Sequence, residues 1–167
     1  LNPRRQRLWR DLALIAIAPL LLFLLACLVT YSPADPGYSQ TGSIATPIHN
    51  ACDQVGAWIA DVLLMLTGYT AFLLPVVLGA IAWIALFGMD SDGDGKADLG
   101  PALRLVGIVG FLVASTGLLY LRVAGSNDLP QGSGGVFGQL VGNSLQTLFG
   151  ALGAHLFLVS LLLISVT

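Results

Sequence analysis

The sequence predicts an all-α integral membrane fold: four transmembrane helices with both termini in the cytoplasm. Three observations predict it. Hydrophobic residues make up 56% of the chain and charged residues 10%, where a soluble domain carries about 25% charged residues. Mean hydropathy is +0.84. The uncharged apolar runs recur at lengths that can cross a bilayer as helices. The Lys and Arg residues are unevenly distributed among the segments that join those runs.

Residues 1–11 form a basic cytoplasmic arm with Arg4, Arg5, Arg7 and Arg10. The first span covers about 12–30. Its core, Leu12 to Val29, is 18 residues without a charge. Arg4-Arg5-Gln6-Arg7 before an apolar run resembles a signal peptide, and Leu24-Leu25-Ala26-Cys27 resembles a lipobox. The run is longer than a usual signal core and more spans follow, so it reads as a retained helix.

The span stops at Tyr31-Ser-Pro-Ala-Asp-Pro-Gly-Tyr-Ser39. Pro33 and Pro36 lack an N–H and bias the residues before them toward extended geometry. The first outer loop, 31–57, holds no Lys or Arg. The second span covers 58–87. Thirty residues as one helix reach about 45 Å against a hydrocarbon thickness of about 30 Å, so this span should tilt, kink or protrude. Pro75 is the natural kink. The cytoplasmic loop, 88–102, carries Lys96, and Arg104 borders it. The third span covers 103–121, the second outer loop 122–142 and the fourth span 143–167. The run before Leu148 is rich in Gln139, Asn143, Ser144, Gln146 and Thr147, which suits an interface or a protein contact better than lipid. Positive charge inside then sets the orientation.

Several constellations bear on function. In the third span Gly107, Gly110, Ala114 and Gly117 share one helix face, and Gly138 and Gly142 recur at a spacing of four near the fourth. Small faces let helices approach closely in lipid, either within one subunit or between subunits. Asp90, Asp92, Asp94 and Asp98, with Gly95 at the sixth position, match the start of a calcium-binding loop. The twelfth position is Pro101 rather than a bidentate Glu. The pattern is therefore either an incomplete calcium site or a solvated acidic turn. Gly95-Lys96 lacks the upstream Gly and the following Ser or Thr of a phosphate-binding loop. No catalytic or cofactor-binding residue is assigned in this segment. His155 lies mid-span and is either a functional ionisable group or a neutral imidazole bonded to a nearby carbonyl. Asp61, one turn into the second span, reads as local to the helix start or as solvent-exposed. Cys27 and Cys52 read as free thiols. The Trp and Tyr residues fall mostly near span ends, as interface anchors do.

The arginine-rich arm, Tyr31-Ser-Pro-Ala-Asp-Pro36, Pro47-Ile-His-Asn50, Gly56-Ala-Trp-Ile-Ala-Asp61 and Pro75 together resemble the N-terminal four-helix membrane domain of FtsK/SpoIIIE DNA translocases of bacterial cell division. The resemblance implies a membrane anchor and scaffold at the division septum of the inner membrane. It implies self-association, as a hexamer, and contacts with other membrane division proteins. ATP, Mg and DNA belong, by the same resemblance, to a motor domain beyond this segment. Partner recognition is expected at Tyr31, Pro33, Asp35, Pro36, Trp58 and Asp61. The alternative from another class is a small channel or transporter subunit, which would need more polar residues lining the spans than the scattered Ser, Thr and His155 supply. A DNA-conducting pore would need basic residues that the spans lack.

Overall fold

Residues 3–39, 47–87, 100–123 and 129–167 are described by a computed structural model of the chain. The described residues are helical apart from turns and loops. The helices are α1 (Pro3–Val29), α2 (Asp53–Thr67), a 3-10 segment (Gly68–Leu73), α3 (Leu74–Phe87), α4 (Gly100–Arg122) and α5 (Gly135–Val166). Four stretches are long and apolar enough to cross a membrane: Arg7–Val29, Asp53–Phe87, Ala102–Arg122 and Gly135–Val166.

The second stretch is not one rod. Its 35 residues exceed the bilayer core, and the surplus is removed by a reversal rather than by tilt. α2 lies along the last turns of α1 and runs in the same direction. Its leading Cys52 has Sγ 3.6 Å from the Phe23 carbonyl, while Asp61, further on, is met by Tyr31. The chain breaks at Gly68, whose φ of 60° and ψ of −142° end the helix. α3 then returns antiparallel to α1. A methyl on Gly79 would come within 3.3 Å of Leu21, and the Arg10 guanidinium sits 5.3 Å from the centre of the Phe87 ring. The 20 residues from Gly68 to Phe87 reach about 30 Å, one hydrocarbon thickness. The expected kink at Pro75 therefore falls upstream of it. Pro75 is the second residue of α3, in the first turn, where a missing N–H breaks no helical bond.

α5 repeats the device. Gly150, at φ 69° and ψ 177°, divides it into a first limb, 135–149, and a second limb, 151–166. The first limb lies across the far end of α4: added methyls on Gly138 and Gly142 would strike Thr116 and Tyr120. The second limb descends antiparallel to α4. There a methyl on Gly107 would come within 3.0 Å of the Ser165 carbonyl, and one on Gly117 within 2.9 Å of Leu158. Ala114 is fully buried in the same seam. The small residues of α4 and of α5 thus each receive side chains or backbone of the other helix inside one chain, and these two helices form the most extensive pair among the described residues.

The two outer helices abut. Tyr69 N–H donates to the Ser133 carbonyl at 2.9 Å, and Gly135 approaches Leu66 and Gly68 too closely for any side chain. The buried cluster under them holds Cys27, Leu28, Ala60, Leu64 and Ala71. The core therefore sits at the loop end of the bundle, the end that carries residues 30–39, 47–52 and 129–135.

Candidate functional site at the loop end

The stiff segment after α1 is held down by two buried carboxylates. Asp61, 3% exposed, projects from the third turn of α2. Its Oδ1 accepts from the Tyr31 hydroxyl at 3.2 Å and from the Ser39 hydroxyl at 2.6 Å; its Oδ2 accepts from the Ser39 N–H at 2.6 Å. Gly37 fits against it, since an added methyl would lie 2.7 Å from the carboxylate. Asp61 is neither solvent-exposed nor confined to its own helix start: its partners lie 22 and 30 residues away. Burial, then the charge of Asp61 and its hydrogen bond, raise the Tyr31 pKa well above the ordinary tyrosine value. Tyr31 is thus a donor at any physiological pH.

Asp35, 5% exposed, does the same for the other arm of the loop. It accepts from the His49 N–H at 2.8 Å and the Asn50 N–H at 2.9 Å, and the His49 ring nitrogen lies 3.1 Å away. Burial alone would push this carboxyl up. The hydrogen bonds from His49 and Asn50 and the charge of His49 outweigh it and leave the pKa lowered from 3.8. Asn50 carries the link onward. Its Nδ2 donates to the Cys27 carbonyl at 2.8 Å and its Oδ1 accepts from the Cys52 N–H at 2.9 Å. Thr30 Oγ1 accepts from the Ala51 N–H at 3.0 Å. Cys27 and Cys52 are free thiols that both border Gly56.

What this framework presents outward is aromatic and polar. Tyr38 and Trp58, 65% and 51% exposed, meet edge to face with ring centres 6.4 Å apart. Pro33 is exposed, Pro36 half-buried, and the His49 side chain is 59% exposed. Of the six residues expected to recognise partners, Tyr31 and Asp61 bond directly. Asp35 sits in the separate His49–Asn50 cluster. Pro33 and Trp58 face out. The two acids spend their oxygens on the chain itself, so they position the surface rather than reach a partner.

Sequence reading did not single out Ser39, Gly37, Thr30 or Asn50 as individual contributors. Only Asn50 carried a signal, an Asn three residues before the start of α2, where its side chain can accept from the backbone N–H two residues on.

Elsewhere, His155 lies within 2.7 Å of the Ala151 carbonyl through Nδ1, a contact within its own helix. Asp90, Asp92, Asp94 and Asp98 lie outside the described residues. Among the described residues no group of three or more His, Cys, Asp or Glu is placed to hold a metal ion.

Residues 6–167 match the family described as the 4TM region of DNA translocase FtsK/SpoIIIE. Among curated relatives, the DNA translocase FtsK of Pseudomonas syringae pv. syringae is 33% identical over 155 residues, covering 93% of this chain and 19% of that protein. The DNA translocase FtsK of Shewanella oneidensis is 35% identical over 150 residues, 89% of this chain and 16% of that protein. The Pseudomonas aeruginosa DNA translocase FtsK is 31% identical over 156 residues, 92% and 19% respectively. The chain therefore spans about a fifth of the length of these relatives. No solved structure matches it.

Proposed function

The chain belongs to the 4TM family of FtsK/SpoIIIE DNA translocases, and from that premise we propose that it anchors such a translocase at the division septum and offers its loop end to division partners. Membership and the four apolar helical stretches support a multi-pass membrane anchor in the inner membrane. The finer reading concerns what the anchor does besides hold on.

The observation that carries it is the pinning of residues 31–39 and 47–50 by Asp61 and Asp35. Two buried acids are a costly way to hold a loop that has no task, because each must be fully hydrogen-bonded to be tolerated. A segment held in place beforehand loses little entropy when a partner binds. The exposed Tyr38–Trp58 pair supplies the large amphipathic side chains that dominate interfaces. The arginines of the arm set this face outside the cytoplasm and the C-terminus inside, where a motor would reach ATP and DNA. Tethering motors in the plane of the membrane raises their local concentration without any new contact. Gly107, Gly110, Ala114, Gly117, Gly138 and Gly142 serve the fold of the subunit, so self-association would use other faces.

The test uses the full-length translocase in cells. Replacing Tyr38 and Trp58 together by Ala should lower septal recruitment and partner cross-linking while protein level and membrane insertion stay unchanged. Normal recruitment and cross-linking in that variant would overturn the recognition reading. A reporter fused after Thr167 should be active in the cytoplasm; activity outside would overturn the orientation.

A further inference from the structure

At the end of the bundle away from the loops, α3 and α4 diverge. A groove of about 950 Å³ opens between them, closed beneath by the second limb of α5. Its walls are aliphatic, with Val77 and Ile84 on α3 and Leu161 on α5; Gly107 and Gly110 form a side-chain-free floor. Among the described residues the lining carries one charged side chain, Arg104, on the first turns of α4, and no side-chain carboxylate.

The chemistry of this groove selects its occupant. An apolar recess at membrane depth is filled by hydrocarbon, since water gains nothing there. An ionised guanidinium at the rim of an apolar groove favours an anion, and among the described residues the lining side chains supply none. A basic group at the mouth of a groove between membrane helices is the recognised setting for an anionic head group.

We propose that this groove is a phospholipid site: acyl chain packs along Val77, Ile84 and the Gly107–Gly110 floor, and an anionic phosphate pairs with Arg104. The site is specific for head-group charge and indifferent to the rest of the lipid. It rests on the chain's being embedded in a bilayer and is independent of recognition at the loop end.

The experiment uses the full chain purified in mild detergent and exposed to phosphatidylglycerol or phosphatidylcholine, with retained lipid counted by native mass spectrometry. Phosphatidylglycerol should be retained about fivefold better than phosphatidylcholine, the preference expected of one basic residue at the membrane surface. Arg104→Gln should remove the preference; Arg104→Lys should keep most of it. Arg7→Gln, which alters a basic residue outside the groove, should leave it unchanged. Ile84→Trp should lower retention of both lipids by filling the recess. Circular dichroism on each variant separates lost lipid from lost fold. Equal retention of the two lipids by the parent chain would overturn the proposal. So would an equal loss of preference in Arg7→Gln, or retention that Ile84→Trp does not lower. Efficient cross-linking of two copies through Val106→Cys would also overturn it, because the groove would then be closed by a second subunit.

Discussion

The two halves of the molecule, Pro3–Phe87 and Gly100–Val166, use one device with different chemistry. Each has a long helix, a loop, an outer helix packed on the last turns of the long one, a glycine break and a returning helix. The outer helices begin on positive-φ residues, Asp53 (59°) and Gly135 (63°), and each meets its positive-φ glycine, Gly68 or Gly150, 15 residues later. Gly56 and Gly138 occupy the same place in each, the fourth residue, where the outer helix touches the long one. In both, a tyrosine near the end of the long helix donates to the outer helix: Tyr31 to Asp61 at 3.2 Å, Tyr120 to Asn143 at 2.8 Å. The difference is charge and burial. Asp61 is buried and ionisable and also gathers Ser39; Asn143 is exposed and neutral. A charged acceptor forms stronger bonds and can hold a long excursion of chain. In the second half a neutral side chain takes this part: the Ser133 hydroxyl donates to the Leu119 and Val123 carbonyls at 3.0 and 2.7 Å, and the Ser133 carbonyl accepts from the Tyr69 N–H.

The largest contrast should come from the glycine breaks. Gly68→Ala would force a side chain into a positive-φ site and also into the Ser133 carbonyl. Gly150→Ala would meet the same backbone strain but nothing within 4 Å. Gly150→Ala should cost about 1–3 kcal/mol, and Gly68→Ala clearly more, since that clash adds to the same strain. Thermal unfolding in detergent checks the order; equal losses would break the comparison.

Next in size is the latch. Asp61→Ala leaves the Tyr31 hydroxyl and the Ser39 N–H without their acceptor and should cost about 3 kcal/mol, whereas Asn143→Ala should cost under about 1 kcal/mol because water replaces it. Amide hydrogen exchange at Ser39 should rise only in the first variant. If both variants behave alike, charge is not what distinguishes the halves.

pH should separate them too. Asp35 has a folded pKa below its ordinary 3.8. Its contribution is therefore fully present above the unfolded value and is lost as pH falls through the folded one. Protection of the His49 and Asn50 amides should persist from neutrality to about pH 4 and fall below it, as Asp35 becomes protonated. Among the described residues no carboxylate bonds the amides around Ser133, which should be unaffected over the same range. The smallest effect is expected at Thr70, 1% exposed, whose hydroxyl has no hydrogen-bond partner. Thr70→Val should be neutral or stabilising by under about 1 kcal/mol.

How legible these features were depends on how local their causes are. The four apolar helical stretches could be read directly, because the membrane acts on composition over one helix length. The family could be read from the Tyr31–Pro36 and Gly56–Asp61 motifs, which are short and contiguous. The break at Gly68 was displaced onto Pro75, since proline announces itself and a glycine in an apolar run does not. The break at Gly150 left no signal at all: its neighbours, Leu148, Phe149 and Leu152, are ordinary helix residues. Asp61 looked like a helix-start residue because its partners, Tyr31 and Ser39, come from another part of the chain.

By itself, then, the sequence determined which stretches enter the membrane and the family they belong to. Hydropathy, proline exclusion and short motifs act within a few turns, and the bilayer enforces them independently of tertiary contacts. Only the tertiary structure decided which apolar residues run across and which fold back at the loop end, and that Asp35 and Asp61 face inward. Those outcomes depend on bonds between residues many positions apart, and a glycine break or a buried acid is favourable only once its distant partners are in place.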